Sequence, residues 1–278
     1  MSMRLYVTKQ GAYLESQGHF VRASAEFGVD QLFQSENPRE YACEAFAAGS
    51  PDQEPDRLLL NAPIKNQEIW AAGVTYMRSK TARMAESKDA GGGSFYDKVY
   101  EADRPELFFK ATPHRVAAPG CSVRIRSDSK WNVPEPELTL AINSRGNIFG
   151  CTVGNDMSSR DIEGENPLYL PQAKVYDRSA AIGPCLAIGD LPEPDASISI
   201  IIMRLGAVVF SGETTIGRIK RPLASLAQWL YRDNSFPMGS YLMTGTGIVP
   251  PDNFTLVEND EISITIEHVG TLINTVGN

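Results

Sequence analysis

The chain has 278 residues, a formal net charge of −8 and a hydrophobic share of 42%. This length allows one large domain, or a small domain beside a medium one, with enough apolar residues for a packed core. The acidic balance gives no electrostatic basis for binding nucleic acid or an anionic membrane, and the apolar run 198–203 is too short to cross a bilayer. The start carries no signal peptide and the four cysteines show no C-x-x-C spacing, which predicts a cytoplasmic protein with reduced thiols.

The first part of the chain has the composition of a separate small unit. Strand-like sequence at 4–14 predicts a hairpin, and 24–44 contains a helical stretch. A polar, proline-containing break follows at 49–55. We therefore predict a small N-terminal domain over residues 1–62 and a larger catalytic domain over residues 63–278.

Two glutamates and one aspartate form the most informative pattern in the sequence. Glu135 and Glu137 are two residues apart, so they point to the same face of a strand. Asn and Gly at 143–147 have the chemistry of a hairpin turn. A turn centred near Arg145 would place Glu137 across from Val153 and bring Asp156 back beside Glu135.

Carboxylate oxygens that converge in this way suit a hard divalent cation, Mg²⁺ first and then Mn²⁺ or Ca²⁺. The pattern predicts that Glu135, Glu137 and Asp156 are metal ligands. The alternative is a set of solvent-facing charges on an edge strand, which would hold no ion.

The order of motifs around this hairpin resembles the fumarylacetoacetate hydrolase family. The resemblance covers the chain from about residue 70 to the end, and the segments that carry it are PELFFKATP (105–113), PEPEL (134–138), NDMSSRD (155–161), ENPLYLPQ (165–172) and TGTGIVP (244–250). It implies an α+β, mostly β fold, a mixed β-sandwich roll with few helices behind a small N-terminal α/β domain. The ENPLYLPQ and PEPE segments resemble the family members that dehydrate sugar acids.

The resemblance implies an enzyme of the hydro-lyase class. The expected reaction is metal-dependent dehydration of a 2-dehydro-3-deoxy sugar acid, such as 2-dehydro-3-deoxy-D-arabinonate, to 2,5-dioxopentanoate through a metal-stabilised enolate. The expected partners are a small-molecule 2-oxo acid substrate and, because members of the family usually pair, a second copy of the chain in a homodimer.

Further site residues follow from the same resemblance. Lys174 is the expected active-site lysine, and either Lys174 or Glu106 would take a proton from C3 of the substrate. Residues 77–98, which include three consecutive glycines, are interpreted as a mobile lid over the substrate. The alternating glycines at 244–247 free backbone N–H groups to face an anion. The predicted substrate-binding residues are Tyr76, Arg78, Lys110 and Thr246.

Two local expectations concern the segment after the hairpin. Residues 158–163 are predicted to form a short helix with Asp156 as its cap, braced by Arg160 and Asp161. Residues 165–172 contain two prolines and are predicted to form a loop rather than a helix.

One departure from the family pattern bears on the reaction. Hydrolytic members use a His–Glu pair in or near the lid to activate water, whereas this chain has no histidine between His19 and His114. The absence favours elimination over C–C bond hydrolysis. The alternatives that remain are an acylpyruvate or fumarylpyruvate hydrolase, an oxaloacetate decarboxylase on the same scaffold, or a non-catalytic protein that binds a metal or a sugar acid.

Overall fold

The structure is a computed structural model that describes residues 3–86 and 93–277. The strands are β1 (Met3–Thr8), β2 (Gly11–Ser16), β3 (His19–Arg22), β4 (Ser50–Asp52), β5 (Leu60–Asn61), β6 (Glu68–Gly73), β7 (Glu106–Ala111), β8 (Val116–Ala117), β9 (Ser122–Arg124), β10 (Asn132–Val133), β11 (Pro136–Ile142), β12 (Ile148–Asp156), β13 (Ser158–Ser159), β14 (Ala180–Ile188), β15 (Ser197–Arg204), β16 (Ala207–Thr215), β17 (Ser240–Met243), β18 (Glu261–Ile266) and β19 (Gly270–Gly277). The helices are α1 (Val29–Gln34), α2 (Pro38–Ala48), α3 (Met77–Glu86), α4 (Gly93–Glu101), α5 (Arg160–Glu165), α6 (Leu170–Lys174) and α7 (Leu223–Leu230).

Two sheets form the framework, and both contain parallel and antiparallel pairs. The larger sheet has the order β4-β3-β2-β1-β14-β12-β11-β17-β6-β7, with β5 and β8 attached beside β1 and β14. The smaller sheet has the order β16-β15-β18-β19-β9. The β17–β6 and β19–β9 pairs are parallel, whereas the long hairpins are antiparallel. The mostly β, mixed architecture predicted from the sequence is confirmed.

The main apolar core lies between the two sheets. Leu138 and Leu140 on β11 belong to the same buried cluster as Ile198 and Ile200 on β15. Strand β15 alternates, since Ile200 and Ile202 are buried and Ile201 between them is 45% exposed. Packing of two inner faces across one core is the arrangement of a sandwich.

The N-terminal strands extend the larger sheet rather than standing apart from it. The predicted first hairpin is present, with Thr8 opposite Gly11, and β1 pairs with β14. A second buried cluster combines Leu5 and Phe33 from the first 62 residues with Tyr241 from the later part. The division of the chain at residue 62 therefore stays a prediction, because strands and core cross it.

The hairpin of β11 and β12 forms where it was predicted, but its register differs by one residue. Glu137 lies opposite Gly154, and the prediction that it lies opposite Val153 is wrong. A β-bulge next to Ile142 adds an unpaired residue to one strand and shifts every pair beyond it. The bulge follows the turn at 143–147, where Gly146 has φ +83.

The segment after this hairpin corrects both local expectations. Helix α5 begins at Arg160 after Ser159 and has no side-chain cap, so Asp156 is not its cap. The predicted loop over 165–172 is wrong, because a 3-10 turn at Pro167–Tyr169 leads directly into α6. Proline is tolerated there because the first helical turn needs no N–H from it.

Two helices, α3 and α4, occupy the segment interpreted as a lid. Residues 87–92 of that segment lie outside the described part of the chain, so its predicted mobility stays a prediction. Lys80 on α3 forms an ion pair of 2.7 Å with Asp97 on α4 and fastens the two helices together. None of the helices within residues 3–86 and 93–277 is both long and apolar enough to cross a membrane.

Candidate active site

Two neighbouring strands near the middle of the larger sheet bring the three predicted metal ligands together. Glu137 lies on β11, Glu135 directly precedes it, and Asp156 ends β12. The Asp156 backbone N–H donates to the Glu135 carbonyl at 2.9 Å, which closes the open end of the hairpin. One carboxylate oxygen from each residue lies within 4.8 Å of the other two. All three residues are buried, with exposed fractions of 3%, 1% and 1% for Glu135, Glu137 and Asp156.

Two of these carboxylates already have cationic partners. The Lys174 ammonium lies 2.7 Å from Glu135 Oε2 and 3.0 Å from Asp156 Oδ2, and it also donates to the Ser158 hydroxyl. Arg160 donates to Glu135 Oε1 at 2.8 Å. These ion pairs and hydrogen bonds offset the cost of burying the two carboxylates.

Glu137 differs from its two neighbours. It accepts a hydrogen bond of 2.6 Å from the Gly245 backbone N–H, and it forms no ion pair with any residue in the described ranges. Burial, together with the negative charges of Asp156 and Glu135, raises the pKa of the Glu137 carboxyl well above its ordinary value. Glu137 is therefore the carboxylate of the trio that forms no ion pair with the described residues.

These residues fit a divalent cation bound against Glu137. An ammonium group in contact with all three carboxylates would occupy the place of an ion, but Lys174 contacts only Glu135 and Asp156. A carboxylate has about four lone-pair positions, so one or two hydrogen bonds leave room for a metal. Mg²⁺ usually binds a small number of protein carboxylates and completes its coordination with oxygens from substrate and water.

A small cleft opens onto the carboxylates. Two further predicted residues, Lys174 and Thr246, line it. Gly73 lines it as well, and a Cβ at this position would lie 2.0 Å from Glu106 Oε2. The Glu106 carboxylate therefore lies against the wall of the cleft, and only glycine leaves space for it at position 73.

The structure gives Lys110 a place different from the one predicted. Its ammonium lies 2.6 Å from Asp156 Oδ1 and donates to the backbone carbonyls of Met157 and Lys174. Burial lowers the pKa of Lys110 to about 8, although the charge of Asp156 opposes this shift. Because its three acceptors lie inside the protein, Lys110 contacts Asp156 from the protein interior. It does not border the cleft.

Tyr76 and Arg78 lie at the exit of β6, as predicted, but they border a second space beside the cleft. The Tyr76 hydroxyl is buried and has no hydrogen-bond partner among the described residues. Burial and the nearby charge of Glu137 raise its pKa. Arg78 is exposed at the start of α3.

Sequence reasoning did not single out several groups that shape the site. Ser79 lines the cleft, and its hydroxyl donates to the Tyr76 carbonyl at 2.8 Å. Ser158 contacts Lys174, and its place in the N-D-x-S motif was the available signal. The Gly245 N–H contacts Glu137 rather than an incoming anion, which only the fold reveals.

None of the three histidines lines the cleft. His19, His114 and His268 are all exposed, and His114 contacts only the nearby Thr112 hydroxyl at 3.0 Å. The described residues thus form a carboxylate trio with a lysine, a fourth carboxylate, that of Glu106, at the wall, and no imidazole. This arrangement suits metal-assisted proton abstraction.

This fold, with a buried carboxylate trio that could hold a metal ion, defines the class of protein to which the chain belongs. Residues 69–277 match the family model described as "Fumarylacetoacetate (FAA) hydrolase C-terminal". The chain belongs to this family.

Three relatives illustrate the similarity. A probable 2-keto-3-deoxyxylonate dehydratase of Haloferax volcanii is 49% identical over 77% of this chain and 73% of its own length. The 2-dehydro-3-deoxy-D-arabinonate dehydratase of Saccharolobus solfataricus is 42% identical over 78% of this chain and 74% of its own. A solved 2-keto-3-deoxy-D-arabinonate dehydratase complexed with magnesium and 2,5-dioxopentanoate superposes with a TM-score of 0.83 at 33% identity, covering 99% of this chain and 98% of that one.

Proposed function

We propose that this protein is a magnesium-dependent hydro-lyase that converts a 2-dehydro-3-deoxypentonate to 2,5-dioxopentanoate. The buried trio of Glu135, Glu137 and Asp156, in which Glu137 forms no ion pair with the described residues, carries the proposal. The relatives named as sugar-acid dehydratases and the magnesium and product named for the solved structure support the same reaction.

The overall chemistry is the loss of one water. A proton leaves C3 and the hydroxyl leaves C4, which gives an unsaturated 2-oxo acid. A proton then moves from C5, and the resulting enol becomes the C5 aldehyde. When bound, the metal ion polarises the C2 ketone and makes the C3 proton more acidic.

Two side chains of the protein have further roles in this reaction. Glu106 is the better candidate for accepting the C3 proton, because its carboxylate lies at the wall of the cleft beside Gly73. The three N–H donors of Lys174 are occupied by Glu135, Asp156 and Ser158, so the ammonium orients the two carboxylates and places positive charge beside the substrate oxygens.

The direct test is a panel of 2-oxo acids incubated with the protein and Mg²⁺. A 2-dehydro-3-deoxypentonate has one stereocentre, C4, so both C4 epimers are included, together with an acylpyruvate and oxaloacetate. We expect one epimer to yield 2,5-dioxopentanoate, identified by mass spectrometry. Cleavage of the acylpyruvate or loss of CO₂ from oxaloacetate, without dehydration of either epimer, would replace the proposal by one of the alternatives.

Glu106→Gln provides a prediction for the proton acceptor. Removing a general base costs roughly 10²–10⁴-fold in rate, so we expect kcat to fall by that factor while Mg²⁺ affinity stays within about twofold. Exchange of the C3 proton with solvent deuterium, followed by NMR, should be lost as well. Glu68→Gln at the exposed start of β6 is the matched control. Normal exchange in Glu106→Gln would assign the base elsewhere.

We also propose a cytoplasmic location and a homodimer. The four cysteines are free, which suits a reducing compartment. The edge strand β16 exposes Val208, and the adjacent turn exposes Leu205 fully. Such an edge is suited to pairing with a second copy, and light scattering of the purified protein tests this.

A further inference from the structure

A second space adjoins the active-site cleft and contains two arginines. It is lined by Tyr76, Met77, Arg78, Thr81, Thr214, Arg218 and Gly247. Arg78 lies in the first turn of α3, whereas Arg218 ends a 3-10 turn that follows β16 of the smaller sheet. The two guanidinium groups thus come from separate parts of the fold to one space.

The two arginines have no anionic partner within residues 3–86 and 93–277. Neither Arg78 nor Arg218 forms an ion pair with any residue of the described ranges, although the chain as a whole carries a charge of −8. Two cations in one concave space repel each other, and an anion between them would relieve this repulsion. Guanidinium groups placed in this way favour a ligand with a carboxylate or a similar anion.

The second space and the metal cleft share a wall that is one residue thick. Ser79 and Thr246 line the cleft, and their chain neighbours Arg78 and Gly247 line the second space. Successive Cα atoms are about 3.8 Å apart, so the two spaces adjoin at both points. The Tyr76 side chain lies at this boundary, since its ring lines the second space and the charge of Glu137 reaches its hydroxyl.

Gly247 keeps this boundary narrow. A Cβ there would lie 2.6 Å from the Tyr76 ring and 2.9 Å from the Thr214 hydroxyl. A side chain at this position would therefore displace Tyr76 or close the space beside it. The Tyr76 hydroxyl, buried without a partner among the described residues, is a donor available to a ligand that spans the boundary.

The length and charge of the ligand follow from this geometry. A five-carbon acid spans about 5 Å between its end carbons. This is comparable to the roughly 3.8 Å between the Cα atoms of the neighbouring residues that line the two spaces. The 2-dehydro-3-deoxypentonate has a neutral hydroxymethyl group at C5, which makes no use of two arginines. A five-carbon 2-oxo dicarboxylate has the same 2-oxo acid head and a second carboxylate at C5.

We propose that Arg78 and Arg218 bind the distal carboxylate of a five-carbon 2-oxo dicarboxylate, which occupies the metal cleft with its 2-oxo acid end and excludes the substrate. This inference rests on the proposed function, because it places a 2-oxo acid head at the metal. It also fits the reaction sequence, because a separate enzyme of the aldehyde dehydrogenase class would oxidise the C5 aldehyde to this carboxylate, with water as the source of oxygen and a nicotinamide cofactor as the electron acceptor. The dicarboxylate formed by such a reaction would then inhibit the dehydration competitively.

The test compares two ligands that differ only at C5. Isothermal titration calorimetry of the full chain with saturating Mg²⁺ measures the Kd of 2-oxopentanedioate and of 2-oxopentanoate. We expect the dicarboxylate to bind about tenfold more tightly at low salt, as one or two charge-assisted contacts allow. This ratio should shrink toward one at about 0.5 M NaCl, because exposed charges are screened.

Arg218→Gln should reduce the ratio to within about twofold, whereas Arg57→Gln, which removes an arginine that is 82% exposed and paired with Glu54, should leave it unchanged. Comparing two ligands on each variant cancels any general effect on the metal cleft. Equal Kd values in the wild type, or an unchanged ratio in Arg218→Gln, would overturn the inference alone. If neither 2-oxo acid bound in the presence of Mg²⁺, both this inference and the proposed function would be overturned.

Discussion

Glu137→Gln is expected to abolish Mg²⁺ binding and turnover while leaving the metal-free protein folded. The substitution keeps the shape of the side chain and an oxygen that can accept the hydrogen bond from the Gly245 N–H. It replaces one of the three carboxylates that would hold the ion by an uncharged amide. Loss of a direct ligand should weaken Mg²⁺ binding by more than about 100-fold, the upper range seen when only a supporting residue is changed. Calorimetry with Mg²⁺ and product formation check both effects.

Glu258→Gln, an exposed substitution of the same kind, is the control and should behave as the wild type. If Glu137→Gln bound Mg²⁺ with wild-type affinity, the ion would lie elsewhere, and the buried trio would be only a network of ion pairs.

The same variant makes the pH dependence of stability testable without metal. Because the pKa of Glu137 is raised in the folded state, the native protein binds more protons than the unfolded chain between the ordinary carboxyl pKa of about 4.3 and the raised value. The free energy of unfolding of the wild type therefore falls as pH rises through this window. Glu137→Gln lacks this contribution. The free energy of unfolding of the variant, measured with urea, should therefore rise relative to that of the wild type as pH rises from 5 to 8.

Lys174→Met, in contrast, is expected to lower turnover without lowering Mg²⁺ affinity. The Lys174 ammonium bridges Glu135 and Asp156, and removing one partner of a buried ion pair costs about 3–5 kcal/mol. The metal-free variant should therefore unfold at a lower urea concentration, and Mg²⁺ should restore part of the loss by supplying positive charge. Turnover should fall by at least about 10²-fold, while Mg²⁺ affinity should not fall, because a competing cation has been removed.

Lys130→Met changes an exposed lysine in the same way and should alter none of these quantities. Turnover within tenfold of the wild type would show that Lys174 only supports the structure. A loss of Mg²⁺ affinity together with activity would mean that the ammonium organises the ligands before the ion arrives.

The metal trio was predictable because it depends on local geometry. Residues two apart share a face of a strand, and a tight turn returns the chain to its start, so Glu135, Glu137 and Asp156 meet whatever the rest of the fold does. The register was not predictable to one residue, because the bulge near Ile142 is a response to the sheet around it.

Other features depend on contacts that are distant in sequence. Lys110 looked like a residue for a substrate anion, but Asp156 and two carbonyls from later segments surround it. The prolines at 165–172 suggested a loop, although each stands where the first turn of a short helix accepts it. A periodic pattern cannot show such placements, because they are decided by which segments meet in the interior.

The pairing of β1 with β14 has a consequence for shortened forms of this protein. The family match begins at residue 69, but a chain that started there would leave Leu186 to Ile188 of β14 without hydrogen-bond partners from β1. Leu186 and Ile188 are buried beneath the N-terminal strands. An apolar strand with an unpaired edge pairs readily with a strand of another molecule. The N-terminal segment therefore protects the protein from aggregation as well as completing its sheet.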